Sequence, residues 1–498
     1  MMIQTAMSFA YALLALNLLT SRQVPPGAQL HIRLTTPVGS YASHAGDPVN
    51  AVLIAPVVSG GETILPAGSL ISGRLKSVQR VGLGFIHELA ALDLEFTSIT
   101  APNGENLPLY ARIQEVDNAR ERLTAEGSIR GTRPTSSLSY RFGGYIRTAI
   151  TWELHARLAV WAIKALLLQV PEPELYYPAG VELTLALTEP VTALPTATTG
   201  ANPRHLTTDE RIQMTAVLAE MPARTHATFS NRPSDLINLM FIGSRDDVST
   251  AFEAAGWIEP KQATLRTNIQ RIRAVADGHG DRTAPMSDLL VQDSKAEMSW
   301  EKSFNDVSKR HHIRIWKQPT TWHGREVWVG AATHDVDFAF LRPGKAMTHK
   351  IAEDVDQERD KVVNDLVFTS CIDMVDDMER LDVPMVTRNA TGDPMRTDTR
   401  IAILQLNACP APIEGLPTVA TLRRHGSKWQ RFARREILSF RSDIMRDNLY
   451  WRSYEGVRMA ITAFRQRGGR GEENDSHPAA AEERQSSNRA SFVTDMFR

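Results

Sequence analysis

Pro25-Pro-Gly-Ala-Gln-Leu-His-Ile-Arg-Leu34 sets a turn directly before a stretch of alternating polar and apolar residues. Glycine accepts backbone angles that other residues avoid, and proline restricts the chain beside it, so the pair turns the backbone sharply. From Gln29 to Leu34 every second residue is apolar, which is the period of a strand with one buried face. The signature recurs: Pro66-Ala-Gly68 precedes Leu70, and Pro178-Ala-Gly180 precedes Val181. Further strand candidates are Val49–Val58, Leu70–Val78, Glu88–Ile99, Leu107–Val116 and Val181–Leu187, separated by Gly, Pro and Asn clusters. Many short strands with such turns predict an N-terminal all-β, barrel-like domain over residues 24–192, a form that hides strand edges. Gly143–Gln169 breaks the alternation and reads as a helical insertion, with Ile150, Leu154, Leu158, Trp161 and Ala165 at helical spacing. Arg157 and Lys164 argue against a free membrane span. The helix either packs on its own barrel or lies on a membrane with Trp152 and Trp161 at the interface.

Outward from this domain, the chain has 498 residues, 42% hydrophobic and 23% charged, enough for two or three folded domains. A formal net charge of −1 argues against the whole molecule being a polyanion binder, and no nucleic-acid partner is expected. Residues 1–23 hold an apolar run, Ala6–Leu19, of the length of a signal-peptide core and short for a span. No Lys or Arg precedes it and no clear Ala-x-Ala site follows. The expectation is export to the periplasm or a membrane-associated place in the cell envelope, with the segment either cleaved or kept as an anchor; the alternative is a buried N-terminal helix. Cys371 and Cys409 allow one internal disulfide, suited to an oxidising compartment, or two free thiols in a reducing one.

A polar linker at 193–205 leads to a predicted α/β (α+β) domain over 206–412. Leu236–Ile242 reads as a buried strand, and Ser244 with Asp247 as the capped start of a helix that Gly256 stops. His311–Trp316 and Val327–Phe340 read as strands, and Asp356–Phe368 as a helix capped by Asp354 with Gln357. Residues two apart on a strand share a face, so His312, Arg314 and Trp316 line one side of theirs. Trp328, Gly330, Ala332 and His334 line one side of the next, with Asp335 opposite. Pairing of the two strands is expected to bring His312, Arg314 and His334 to one pocket, joined by His349. Imidazoles with a carboxylate can bind a divalent metal. An arginine among histidines can instead hold a phosphate or carboxylate, and the same residues also suit structural packing or a partner-facing surface. No nucleophile elbow, phosphate-binding loop or paired-Cys zinc motif is present.

Two resemblances add to this reading. Ile237-Asn-Leu-Met-Phe-Ile-Gly-Ser244, Ala254-Ala-Gly-Trp257, Arg310-His-His-Ile-Arg-Ile-Trp316, Val327-Trp-Val-Gly-Ala-Ala-Thr-His-Asp335, Thr348-His349 and Asp354-Val-Asp-Gln-Glu-Arg359 resemble the LssY C-terminal domain family over residues 205–385. The family implies no particular activity, but it keeps company with membrane modules similar to DedA proteins and type 2 phosphatidic acid phosphatases. The phosphatase motifs themselves are missing from this chain. Gly27-x-x-Leu-x-x-Arg-Leu34, Gly46-Asp-Pro-Val-Asn-Ala51, Leu65-Pro-Ala-Gly-Ser69 and Pro178-Ala-Gly-Val-Glu-Leu-Thr-Leu185 resemble the TrbI-like β-barrel of type IV secretion outer-membrane complexes. That resemblance implies a periplasmic barrel with a helical insertion, not a secretion role.

The remaining segments are a basic helical stretch at 413–467 and a tail at 468–498 of disordered composition. Between Leu422 and Arg470 about a dozen Arg and Lys face roughly four acids, with Trp429, Phe432, Phe440 and Ile444 near helical spacing. Three functions follow as expectations. The first is an exported envelope protein with a binding or assembly role, partnered by another envelope protein or by copies of itself. The second is a metal- or anion-dependent hydrolase using His312, Arg314, His334 and His349. The third is a protein that binds anionic lipid surfaces through its basic helix.

Overall fold

The three Pro-x-Gly signatures close in one way. The computed structural model describes residues 22–133, 173–193, 203–260, 288–302, 309–340 and 347–409, with short gaps at 60–61, 85–86 and 229, and scattered residues from 427 to 461. Ala28, Ser69 and Val181 each donate their N–H to the carbonyl of the proline three residues back (Pro25, Pro66 and Pro178), at 3.2–3.3 Å. Gly27, Gly68 and Gly180 hold φ near +90° (+86°, +89° and +96°) and donate back to Leu187, Leu53 and Leu34, the ends of preceding or neighbouring strands. Each signature therefore ends one strand and starts the next, and the left-handed glycine is what lets it do both.

The strands so linked are β1 (Gln29–Leu34), β2 (Pro48–Leu53), β3 (Leu70–Gln79), β4 (Ala91–Thr100), β5 (Ala111–Val116) and β6 (Glu182–Leu187). They form most of a nine-stranded antiparallel sheet in the order β5-β6-β1-β2-β3-β4, continued by the short strands Ile129–Arg130 and Arg122–Leu123. The two ends of that order meet: Arg112 Nη1 on β5 donates to the carbonyl of Ala125 at 2.7 Å. The result is a nearly closed barrel-like sheet filled by Leu30, Ile32, Val49, Ile71, Leu183 and Leu185, all buried. Gly73 is needed where β3 and β4 approach closely, because a Cβ there would press into the backbone of Glu95 and Phe96.

A second, seven-stranded sheet contains β7 (Leu239–Ile242), β8 (Met298–Lys302), β9 (Arg310–Trp322), β10 (Arg325–Phe340), β11 (Met347–Ile351), β12 (Ile372–Glu379) and β13 (Arg400–Leu406). Its order is β8-β9-β10-β7-β13-β12, with β11 also on β10; β7 and β13 run parallel and the other pairs antiparallel. Helix α1 (Thr208–Ala219) packs Met214 and Leu218 with Trp316, Val329 and Ile403 on one face. On the other face, α2 (Arg245–Ala254) and α3 (Asp356–Phe368) pack Phe252, Val362 and Leu366 with Ile313, Trp328 and Leu404. The described residues are thus mostly β-sheet, with one nearly closed barrel-like sheet and few helices.

Two local expectations change. Leu236–Ile242 is not one strand, because it divides at Asn238 into Pro233–Leu236, in a smaller sheet, and β7. The Asn238 side chain donates to Ala332 O and accepts from Ala332 N at 3.1 and 3.0 Å, pairing with backbone across the break. Ser244 does cap α2, exchanging hydrogen bonds with Asp247. Asp354 instead sits one residue before the cap of α3; Val355 is the cap residue, and Asp354 accepts from Asp356 N and Gln357 Nε2, each at 3.2 Å. The apolar run Ala6–Leu19, the helical insertion Gly143–Gln169 and the tail 468–498 lie outside the described residues. Among the described residues, no helix is long and apolar enough to cross a membrane.

Candidate functional site at the seam of the two sheets

Register decides what the histidines can do. Across β9 and β10, Arg310 opposes Asp335, His311 opposes His334, His312 opposes Thr333 and Arg314 opposes Ala331. Directly opposed residues share a face of the sheet. Arg310, His312 and Arg314 therefore share theirs with Thr333 and Asp335, while His311 and Ile313 share the other with His334 and Ala332. The expected pocket of His312, Arg314 and His334 does not form. The two strands pair even-numbered residues of one with odd-numbered residues of the other, which sends His312 and His334 to opposite sides.

The His312 face is a buried polar ladder. His312 Nε2 lies 2.9 Å from Thr333 Oγ1, and its Nδ1 is 3.7 Å from Asp335. Arg310 donates to Asp335 at 2.9 Å and to Glu301 at 3.1 Å, and Arg314 lies 3.6 Å from Asp235. Burial raises the Asp235 carboxyl despite the opposing charge of Arg314. Trp316 is core: its indole donates to Ser294 O at 3.0 Å while the ring packs on the α1 side. His349 stands on β11 opposite Phe338, and its side chain lies outside the described set.

The His311 face meets the barrel-like sheet. His311 Nδ1 is 2.6 Å from Glu358 on α3, and Nε2 is 2.8 Å from Asp117, in the turn that follows β5. Burial opposes a charge on this ring, but the carboxylates of Asp117 and Glu358 on either side outweigh it and raise its pKa to about 10. His334 stacks on His311 with ring centroids 4.3 Å apart and bonds through Nε2 to Asn118 Oδ1 at 3.0 Å. Burial, and then the charge of His311, push His334 down to about 3, so the two stacked rings carry different protonation.

Beside them lies a second node. Lys302 on β8 places Nζ 2.7 Å from Glu182 of β6, 2.9 Å from Asp365 of α3 and 3.2 Å from the carbonyl of Ala255. Lys361 reaches the same two acids at 2.6 and 2.8 Å, and Arg33 of β1 reaches them at 2.8 and 3.4 Å. Glu182, Lys302 and Asp365 are almost fully buried. Burial alone would raise the Glu182 carboxyl, but Lys302, Lys361 and Arg33 hold it well below the usual carboxylate range. The Trp257 indole donates to Asp365 at 2.9 Å and fixes it further.

Sequence reasoning did not single out Asp117, Glu182, Lys302 or Lys361. One signal was available: Glu358, Lys361 and Asp365 recur every three or four residues on α3, a polar stripe beside the apolar one of Val362 and Leu366. The barrel-side acids carry no such pattern, because only the tertiary fold brings them to α3. Cys371 and Cys409 are bonded to each other, joining the segment before β12 to the chain just after β13.

Fold and site together define a protein in which a barrel-like sheet is fastened to a helix-covered mixed sheet through buried charges. Residues 218–401 match the LssY C-terminus family, and that span contains the second-sheet half of the seam: Lys302, His311, His334, Glu358, Lys361 and Asp365. No curated protein matches the chain. Among solved structures, ComB10 of the Com type IV secretion system of Helicobacter pylori is similar to part of it. The two are 12% identical, the match covers 35% of this chain and 93% of that chain, and the TM-score is 0.20, a level that carries no functional inference.

Proposed function

We propose that the protein is an exported component of the cell envelope that acts as a binding or assembly element, with the barrel-like sheet and the LssY C-terminal-like region presented as one body. The match to the LssY C-terminus family fits a cell-envelope or assembly role. The observation that carries the reading is the seam. Four acids and four bases from both sheets are spent on intramolecular pairs at 2.6–3.4 Å, so this cluster serves to hold two surfaces in fixed relation. Export is supported by the apolar run near the N-terminus and by the disulfide, which suits an oxidising compartment.

Two measurements test this. Alkylation of unreduced whole cells should leave Cys371 and Cys409 unlabelled, with labelling only after reduction. In-cell crosslinking should capture the chain with itself or with another envelope protein. Recovery in a soluble cytoplasmic fraction with two reactive thiols and no crosslinked species would overturn the proposal.

A further inference from the structure

We propose that Asp117, His311 and His334 form a binding site for one divalent transition-metal cation, zinc or a chemically similar ion, bridging the two sheets at their seam. One oxygen of Asp117 and one nitrogen of each ring lie within 4.8 Å of one another. Donors at about 2.1 Å around a tetrahedral cation are roughly 3.4 Å apart, so small rotations of these side chains bring all three into bonding range. Two imidazoles and one carboxylate are a donor set suited to zinc, whereas calcium and magnesium prefer oxygen alone.

The surroundings of the three donors point the same way. Metal-bound histidines commonly bond their second ring nitrogen to a carboxylate or carbonyl oxygen, which orients the ring. Glu358 sits in this way on His311 Nδ1 at 2.6 Å, and Asn118 Oδ1 on His334 Nε2 at 3.0 Å. Independently, Asp117 Oδ2 is buried and has no hydrogen-bond partner among the described residues. A cation at the site would supply that partner. Asn118 holds φ at +52°, a left-handed geometry that asparagine tolerates, in the turn that presents Asp117 to the histidines.

Binding replaces the proton held between Asp117 and His311: the Nε2–H bond breaks, the proton goes to solvent, and a nitrogen–metal bond forms. Asp117 comes from the barrel-like sheet and both histidines from the other, so an occupied site ties the two together. Three protein ligands leave a fourth position for water or for a ligand atom from a partner.

The full chain, stripped with chelator and titrated with Zn²⁺ alone, provides the test by calorimetry and elemental analysis. One equivalent should bind, with release of a proton and a rise in the unfolding midpoint. His334→Gln and Asp117→Asn should each weaken binding by at least tenfold, and Glu358→Gln, which keeps all three ligands, by about tenfold or more. His44→Gln, an exposed histidine elsewhere, should change nothing. Circular dichroism in chelator confirms that each variant is folded. Cobalt-loaded wild type adds a readout without any substitution, the visible bands of a four-coordinate site. Absence of stoichiometric metal in folded wild type, or unchanged affinity in folded His334→Gln, overturns the inference. Neither result touches the envelope proposal, which does not depend on a metal.

Discussion

Replacing Glu182 by leucine removes the barrel-side acid of the Lys302 node. It leaves the buried Lys302 and the partly buried Lys361 against Asp365 alone, with Arg33 still beside it. Before the change the node holds two acids against three bases; afterwards it holds one against three. Lys302 is only 3% exposed, so solvent poorly replaces its lost partner at 2.7 Å. Breaking a buried pair by removing one member costs roughly 3–5 kcal/mol, whereas replacing both members by apolar groups is often near neutral. Glu182→Leu should therefore destabilise by about 3–5 kcal/mol. The double variant Glu182→Leu with Lys302→Met should cost clearly less than the sum of the singles, a coupling of about 1–3 kcal/mol. Urea unfolding followed by tryptophan fluorescence and by circular dichroism measures all four corners of the cycle. A single variant within about 0.5 kcal/mol of wild type, or costs that simply add, would refute the claim that these charges join the sheets.

Other outcomes follow from the same structure. Glu182 and Asp365 are buried, yet the neighbouring Lys302 and Lys361 hold both carboxyls below their usual range. Their contribution is present above the ordinary carboxylate pKa of about 4 and is lost as pH falls through the lower folded values. Wild type should thus lose more stability below about pH 4 than Glu182→Gln, as read from unfolding midpoints across an acid series. Gly73→Ala should prevent β3 and β4 from closing, because the new methyl meets Glu95 and Phe96 backbone; low soluble yield or a strongly lowered melting midpoint is expected. Cys409→Ser opens a loop of 38 residues and should cost about 4 kcal/mol, while denatured, unreduced wild type should show no reactive thiol.

The barrel-side strands were legible because β1 alternates strictly and each Pro-x-Gly marks a strand start that the backbone uses with a left-handed glycine. Helices α2 and α3 were legible from Ser244 and Asp247 and from the residues that bound them. The site was not. Strand period told which residues of β9 share a face, but only register tells which face of β10 they meet. A shift of one residue would have put His334 beside His312 as expected; the observed register puts it on His311. Glu182 and Asp117 could not be assigned at all, since they reach Lys302 and His311 from 120 and 194 residues away in sequence. Long-range pairing of this kind leaves no local periodicity to read.

Hydrogen exchange under increasing denaturant, resolved by peptide, tests most directly that the two sheets act as one body. Amides of β1 and β6 should lose protection at the same denaturant concentration as those of β9 and α3, and the two groups should separate in Glu182→Leu. Wild-type protein in which β1 and β6 open well before β9 and α3, with Glu182→Leu no different, would contradict the account.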